Sequence, residues 1–370
     1  MKLEAIEIRT IRMPLVSPFR TSFGVESVRE TLLVRAVTAT SEGWGECGAS
    51  EEPRYSSEYT HGAAEVLRRH LVPALLRAEI RDAHALAPAL ARFKGHRLAK
   101  SALEAAVLDA DLRAQGVSLS HALGATKTRV PCGVSVGITD TIPELLDTVA
   151  SYLEAGYVRI KLKIEPGWDL DPVRAVRERF GDIELQVDAN ASYQPADSRH
   201  LAKLDDFDLS LLEQPFAADD LLGHARLAKK ITTPICLDES ILSARGAAAA
   251  IEMGACSIIN IKPGRVGGYL EARRVHDVCA AHDVPVWCGG MLETGIGRAA
   301  NLAVAAMPGC TMPGDTSASD RYFSTDLTNP FVLRDGHLEV PTGAGIGVTP
   351  NADVLDEVTV EREWITGAEA

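Results

Sequence analysis

The chain of 370 residues has no uninterrupted apolar run long enough to cross a bilayer, no cluster of Lys and Arg, and no grouping of His and Cys at metal-ligand spacing. Each absence removes a class of function. With 38 basic against 51 acidic residues the formal charge is −13, so the electrostatic footprint of a protein that binds nucleic acid or an anionic membrane is missing. The seven cysteines (Cys47, Cys132, Cys236, Cys256, Cys279, Cys288 and Cys310) are odd in number, scattered and mostly inside apolar runs. They read as small core residues in a reducing compartment, neither a disulfide framework nor a zinc site. Met1 to Val16 alternates apolar and charged residues, without the basic start and continuous apolar core of a secretory leader. The expectation is a soluble, cytoplasmic protein whose partner is a small molecule, with no nucleic acid and no membrane.

What is present is a globular composition, 46% hydrophobic and 24% charged, in a chain long enough for one large enzyme domain and a smaller one. From about Val130, short β-branched runs alternate with helical stretches, the pattern of repeated βα units and a parallel sheet. Strands are expected over Cys132 to Ile138, Val158 to Ile164, Ile183 to Asp188, Leu209 to Glu213, Ile235 to Asp238, Ser257 to Lys262 and Pro285 to Cys288, with a short eighth before Asp315. Eight strands point to a closed barrel. The first stretch, to about residue 128, reads instead as a separate α+β unit, with alternating segments at Leu3 to Met13 and Thr31 to Thr38. A helix over Ala99 to Gln115 stops at Gly116. After Thr325 the chain returns to turns and short strands, including Gly336 to Pro341, and is expected to pack back on the first unit.

Spacing sharpens the barrel reading. Lys163, Asp188, Glu213, Asp238 and Lys262 follow one another at intervals of 25, 25, 25 and 24 residues, each at the C-terminal end of its apolar run. In a (β/α)₈ barrel those ends share one face, where side chains from several strands meet. Asp188, Glu213 and Asp238 are hard oxygen donors of the kind Mg²⁺ or Mn²⁺ prefers. Asp238 alone, opening Asp238-Glu239-Ser240, reads equally well as a helix cap. Together, three carboxylates at a dry mouth repel one another and demand a cation or raised pKa values. Lys161 and Lys163 share one strand face, and the bland alternative is a basic surface strand. Beside a metal and Lys161, the Lys163 ammonium would be pushed down toward a neutral amine base, with Lys262 facing it across the barrel. Arg265 either reaches the mouth and tunes Lys262 or faces solvent from a loop. A proton next to a carboxylate is a very weak acid, and a divalent ion on the carboxylate oxygens would stabilise the enediolate left behind. This pairing of a Lys base with a metal-stabilised enediolate is general knowledge of such sites.

Several motifs then resemble one family. Val158-Arg159-Ile160-Lys161-Leu162-Lys163, Asp188-Ala189-Asn190, Glu213-Gln214-Pro215, Asp238-Glu239-Ser240 and Asn260-Ile261-Lys262-Pro263 are similar to the muconate-lactonizing subgroup of the enolase superfamily. Pro18 to Gly24, Gly264-Arg265-Val266-Gly267-Gly268 and Trp287-Cys288-Gly289-Gly290-Met291 resemble its branch of o-succinylbenzoate synthases, enzymes of menaquinone biosynthesis, that also racemise N-succinyl- or N-acylamino acids. The resemblance implies an α/β fold, a modified TIM barrel of (β/α)7β type over residues 129–324. An α+β N-terminal capping domain, residues 1–128, would be completed by the C-terminal segment 325–370. It further implies Mg²⁺ on Asp188, Glu213 and Asp238, replaceable by Mn²⁺ or another divalent ion, and acid/base roles for Lys163 and Lys262. Lys161, Asn190, Glu239 and Arg265 would support them. Phe19 to Gly24 would form a mobile loop closing over a small carboxylate substrate. Phe19, Phe23, Tyr55, Ser135, Gly290, Met291 and Asp315 would be substrate contacts, and the assembly a homo-oligomer.

Two departures narrow the branch. Gly289-Gly290-Met291 stands where a mandelate-racemase type offers a catalytic His, and Asp315-Thr316-Ser317 replaces the Asp-x-Asp with which dipeptide epimerases hold an ammonium. A muconate-type cycloisomerase and a dipeptide epimerase remain the alternative reactions, and a catalytically inert barrel scaffold the non-enzymatic one. Gly295-Ile296-Gly297-Arg298-Ala299-Ala300 fits a dinucleotide fingerprint with Asp315 near the spacing of a ribose-binding acid. It lies in the seventh βα unit instead of opening a mononucleotide fold, so it is read as accidental.

Overall fold

The computed structural model describes residues 1–367, so the expected C-terminal segment reaches three residues beyond those described. The chain begins with a meander of long strands, β1 (Leu3–Thr21), β2 (Gly24–Thr38) and β3 (Glu42–Cys47), paired antiparallel in sequence order. Strand β3 had no counterpart in the sequence reading, because its Glu42-Gly43-Trp44-Gly45 stretch lacks apolar alternation. Its glycines have a packing reason. A Cβ at Gly43 or Gly45 would overlap the backbone of the helix Arg97–Gln115 at Ala110 and Ala102. That helix presents Ala102, Ala105, Ala106 and Ala110 to the sheet and ends where Gly116 turns left-handed at φ +70°.

The barrel is built from β5 to β11, after a short β4 (Arg129–Pro131). These are β5 (Gly133–Val136), β6 (Arg159–Lys163), β7 (Leu185–Asp188), β8 (Leu211–Glu213), β9 (Ile235–Leu237), β10 (Ile258–Ile261) and β11 (Val286–Cys288). All seven are parallel neighbours in chain order. The expected eighth strand differs. The segment before Asp315 makes only two isolated parallel bridges, Val286 with Cys310 and Cys132 with Gly314. Pro308 and Pro313 flank that segment and cannot donate to a ladder, which accounts for the interruption. The segment still closes the ring, since Gly133 N donates to Gly314 O at 2.8 Å and Asp315 N to Cys288 O at 3.0 Å.

The tail divides its contacts. Strand β12 (His337–Glu339) pairs with β4, while β13 (Thr359–Thr366) lies antiparallel beside β1 and forms the outer edge of the meander sheet. All seven cysteines are free thiols, and six are buried. Among the described residues no helix is long and apolar enough to cross a membrane.

Candidate active site

Parallel register decides which side chains meet. Lys163 pairs with Asp188 and Asp188 with Glu213, so the three stand in one row across β6, β7 and β8. Glu213 pairs with Cys236, which puts Asp238 two residues further along the same face of β9. In a ring of seven strands and one closing segment, β6 and β10 are four steps apart. Lys163 and Lys262 therefore rise from opposite walls.

Every one of these charges is buried and paired. Lys163 Nζ donates to Asp188 Oδ2 at 2.6 Å and to Asn190 Oδ1 at 2.7 Å. Asn190, held in the left-handed region at φ +42°, passes its own amide to Glu239 Oε1 at 3.0 Å. Lys161 Nζ bridges Glu213 Oε2 at 2.7 Å and Asp315 Oδ2 at 2.6 Å, with the Trp287 ring 4.7 Å away. Lys262 Nζ donates to Asp238 Oδ2 at 2.7 Å and sits 4.6 Å over the Tyr55 ring. The other oxygen of Asp238 accepts from the Tyr55 hydroxyl at 3.0 Å and ion-pairs with Arg265.

These pairings set the proton affinities. Burial alone would lower the Lys262 ammonium, but the fields of Tyr55, Glu213, Glu239 and Asp188 outweigh it and hold the group above its usual range. Lys161 is raised in the same way, burial being overcome by Asp315, Glu213 and Asp188. Asp188 and Asp315 go the other way, since the attraction of their lysine and arginine neighbours exceeds the cost of burial and keeps both carboxyls well below the usual carboxylate range. Glu213 is pushed up by burial and by Asp188.

The loops between β3 and the long helix, and between β1 and β2, roof the mouth and enclose a cavity of about 380 Å³. Lys163, Lys262, Asn190, Phe19, Phe23, Tyr55, Gly290 and Met291 all line it. Two expected substrate contacts stand apart from that lining. Ser135 is buried at the register level of Lys161, with an Oγ that has no partner. Asp315 is taken up by Lys161 and, at 2.8 Å, by Arg159. Its carboxylate ties the closing segment to β6, one layer beneath the cavity. The Phe19 to Gly24 segment lies over the mouth, with Phe19, Thr21, Phe23 and Gly24 in the cavity lining. It is the tip of the β1–β2 hairpin, with Thr21 paired to Gly24, because Ser22-Phe23 followed by Gly24 at φ +148° makes a tight reversal. The tip is docked: Arg20 O accepts from Ile138 N at 2.9 Å, and Ser22 Oγ donates to Ala189 O at 3.3 Å.

Arg265 is likewise no solvent-facing residue. Only 4% exposed, it spends its guanidinium on Asp238, Ile241 O and Asn260 O. Its ion pair with Asp238 is shared with Lys262, so two cations rest on one carboxylate.

The donor chemistry of the mouth fits a hard divalent cation. Asp188, Glu213 and Asp238 are carboxylates on adjacent strands, and Glu239 Oε2 beside them is buried with no partner at all. Burial and the charge of Asp188 push the Glu239 carboxyl up to about 7, another sign of anionic crowding. As they stand, their oxygens converge on ammonium groups, and among the described residues no three His, Cys, Asp or Glu side chains are spaced around one point.

Sequence reasoning missed the residues that fasten the roof. Glu46 at the end of β3 accepts from Thr294 N at 3.0 Å, Thr294 Oγ1 at 2.7 Å and Gly297 N at 2.9 Å, capping the helix Gly295–Ala305. Asp326 Oδ1 takes Gly295 N at 2.7 Å. The apparent dinucleotide fingerprint thus has the N–H groups of both its glycines occupied by this chain's own carboxylates. Gln214 was also missed. At φ +38° it accepts from Asp238 N at 3.0 Å and so orients the end of β9. The Glu213-Gln214-Pro215 motif contained it without disclosing that role.

Comparison with known proteins agrees with this geometry. Residues 144–354 match the family described as enolase C-terminal domain-like, and residues 5–124 match the mandelate racemase / muconate lactonizing enzyme N-terminal domain. An N-succinylamino acid racemase of Amycolatopsis sp. is 66% identical over 99% of this chain and all of its own length. An o-succinylbenzoate synthase of Geobacillus kaustophilus is 46% identical over 98% of this chain and 96% of its own. The crystal structure of an enolase-superfamily member from Listeria innocua, 38% identical, superimposes with a TM-score of 0.95 over 99% of this chain and all of that one. With both parts of its fold matched by the family's two domains, the chain belongs to the mandelate racemase / muconate lactonizing enzyme family of the enolase superfamily.

Proposed function

We propose that this chain is a metal-dependent enzyme that removes the proton α to a carboxylate, acting as an N-succinylamino acid racemase and an o-succinylbenzoate synthase. One observation carries the reading: Lys163 and Lys262 line a single cavity from opposite walls, so an α-carbon between them meets a nitrogen on each face. Enzymes of both names are similar to the chain along essentially its whole length.

Asp188, Glu213 and Asp238 would hold the divalent ion, Mg²⁺ in our reading, which supplies positive charge beside the substrate carboxylate where negative charge grows. The rest falls to the chain's own residues. In racemisation, the neutral amine of one lysine takes the α-proton as the C–H electron pair moves into the carboxylate, and the ammonium opposite delivers a proton to the other face. In dehydration, the proton gained by Lys163 leaves with the β-hydroxyl as water, while Lys262 stays an ammonium beside the enediolate. Tyr55 and Arg265 fix Asp238, and Asn190 fixes Lys163, so neither nitrogen is free to swing from the α-carbon. Phe19 and Phe23 on the hairpin tip add apolar surface to the cavity lining, which would displace water from a bound substrate.

The same reading takes residues 1–128 as the capping domain, 129–324 as the barrel and the tail from 325 as completing the cap, supported by the pairing of β13 with β1. A cytoplasmic location and a homo-oligomeric state belong to it as well. The deciding experiment supplies the purified protein and Mg²⁺ with N-succinylphenylalanine in D₂O and, separately, with the cyclohexadiene precursor of o-succinylbenzoate. Deuterium should enter the α-position and the precursor should lose water. Neither reaction occurring would defeat the proposal and favour a cycloisomerase.

A further inference from the structure

The wall of the cavity opposite the hairpin tip is the segment Gly290, Met291 and Leu292, which follows β11. It carries no regular structure, and Leu292 is held in the left-handed region at φ +57°. A branched aliphatic side chain is disfavoured there and persists only where the surroundings over-determine it. Two carboxylates provide the constraint. Glu293 folds back so that its Oε2 accepts from Met291 N at 2.7 Å, while its Oε1 takes Asn301 Nδ2 at 2.9 Å. Glu46, buried and 248 residues away in sequence from Thr294, holds the four residues that follow through Thr294 and Gly297. Gly297 allows this approach, because a Cβ on it would lie 2.9 Å from Glu46 Oε2 and 2.7 Å from Glu293 Cγ. Two residues beyond Glu46, Gly48 faces Met291, and a Cβ there would touch it at 3.4 Å. The end of β3 therefore fastens the residues just past the segment through Glu46, passes Met291 at Gly48, and runs on to Ser50 and Tyr55 in the same cavity.

We propose that Glu46 is the positioning residue that fixes the Gly290 to Leu292 wall of the substrate cavity by fastening it to the roof built from β1 to β3. The inference rests on the proposed function for its kinetic consequence but not for its structural one. Glu46 touches no substrate. It sets where Met291 and the backbone of Gly290 stand, and so how tightly the acyl-amino acid is held, while Lys163 and Lys262 are placed by other strands. Loss of Glu46 should therefore weaken binding and spare the chemical step.

The test compares wild type with Glu46→Ala and Glu46→Gln in the full chain with Mg²⁺. Glutamine keeps one acceptor oxygen and turns an N–H₂ toward the remaining donors, so it retains part of the cap. Glu46→Ala should raise KM for N-succinylphenylalanine about tenfold with kcat within about threefold of wild type, and Glu46→Gln should fall between. Amide hydrogen exchange should accelerate at residues 290–297 and stay unchanged across β6 and β10. Glu104→Ala supplies the contrast. Glu104 caps a different barrel helix, Tyr269–Ala281, by accepting from Leu270 N at 3.0 Å, and it does not line the cavity. It should lower Tm and leave KM alone, as a merely structural cap would. Unchanged exchange at 290–297 in Glu46→Gln, or faster exchange with an unmoved KM, overturns the proposal. Absence of turnover in wild type defeats the proposed function instead, and the exchange comparison then still decides whether Glu46 holds the wall.

Discussion

In the floor of the barrel the carboxylates Asp188, Glu213, Asp238 and Asp315 each rest on a lysine or arginine, whereas at the seam with the roof Glu46 and Glu104 rest on helix N-termini. Neither seam glutamate has an ion-pair partner among the described residues. The consequence is a division in proton affinity. Asp188 and Asp315 are held down by their cations, while burial pushes Glu46 and Glu104 each up to about 7, with Glu293 adding to the effect at Glu46. Glu213 belongs to the floor by position yet is raised, because Asp188 stands beside it in register. A helix end offers partial charges and good hydrogen bonds, but it does not replace a full positive charge in a dry site. The floor is thus built to keep charge, and the seam to tolerate carboxylates that can give theirs up.

The largest effects should come from the floor. Replacing Lys163 or Lys262 with Ala should each reduce racemisation by about 10³-fold or more, since either loss leaves one face of the α-carbon without a proton carrier. Isotope exchange on a single face surviving in one variant would sharpen the assignment, and full racemase activity in either would break it. Asp315→Asn comes next. It leaves Arg159 buried without its carboxylate and Lys161 with Glu213 and Asp188 alone, and should cost about 3–5 kcal/mol of stability by chemical denaturation. A change of only a few tenths would mean that the two cations find other partners, and the floor would then be no tighter than the seam.

The floor was also the part legible in the sequence. Repeated βα units impose a period, and the intervals between Lys163, Asp188, Glu213, Asp238 and Lys262 display it directly. Strand position told which residues reach the mouth but not which layer each occupies. Position alone makes Asp315 a substrate contact, whereas Lys161 and Arg159 hold its carboxylate outside the cavity lining. Arg265 was ambiguous for a related reason: a residue three past a strand end can turn in or out, and only the presence of Asp238 Oδ1 decides. The seam was not legible at all. Glu46 and Thr294 meet across 248 residues, and a glutamate that caps a distant helix looks in sequence like any polar residue on a strand. The same holds for the hairpin tip, whose flexibility was inferred from a resemblance and whose docking depends on carbonyls and donors of two separate barrel loops.

The smallest expected effect bears most directly on the contrast between floor and seam. For a carboxyl whose folded-state pKa is raised, the folded protein binds the proton more tightly than the unfolded chain does. Its contribution to stability is complete below the ordinary value of 4.5 and is lost as pH rises through about 7. For Glu104 a shift of that size corresponds to about 3 kcal/mol at most. Glu104→Gln keeps the acceptor for Leu270 N and removes the titration. Its stability relative to wild type should therefore improve steadily between pH 5 and pH 8, by up to the same amount. Glu46 and Glu239, also raised to about 7, remain in the variant and keep some slope in both proteins, so the difference between the two curves is the quantity to read. Asp188 and Asp315 do not intrude. Their depressed values place their stabilising contribution above the ordinary carboxylate range, and it is lost only as pH falls through the folded-state value, well below 5. Parallel Tm curves for wild type and Glu104→Gln across that window would mean that the helix N-terminus stabilises a full carboxylate charge as well as a lysine does.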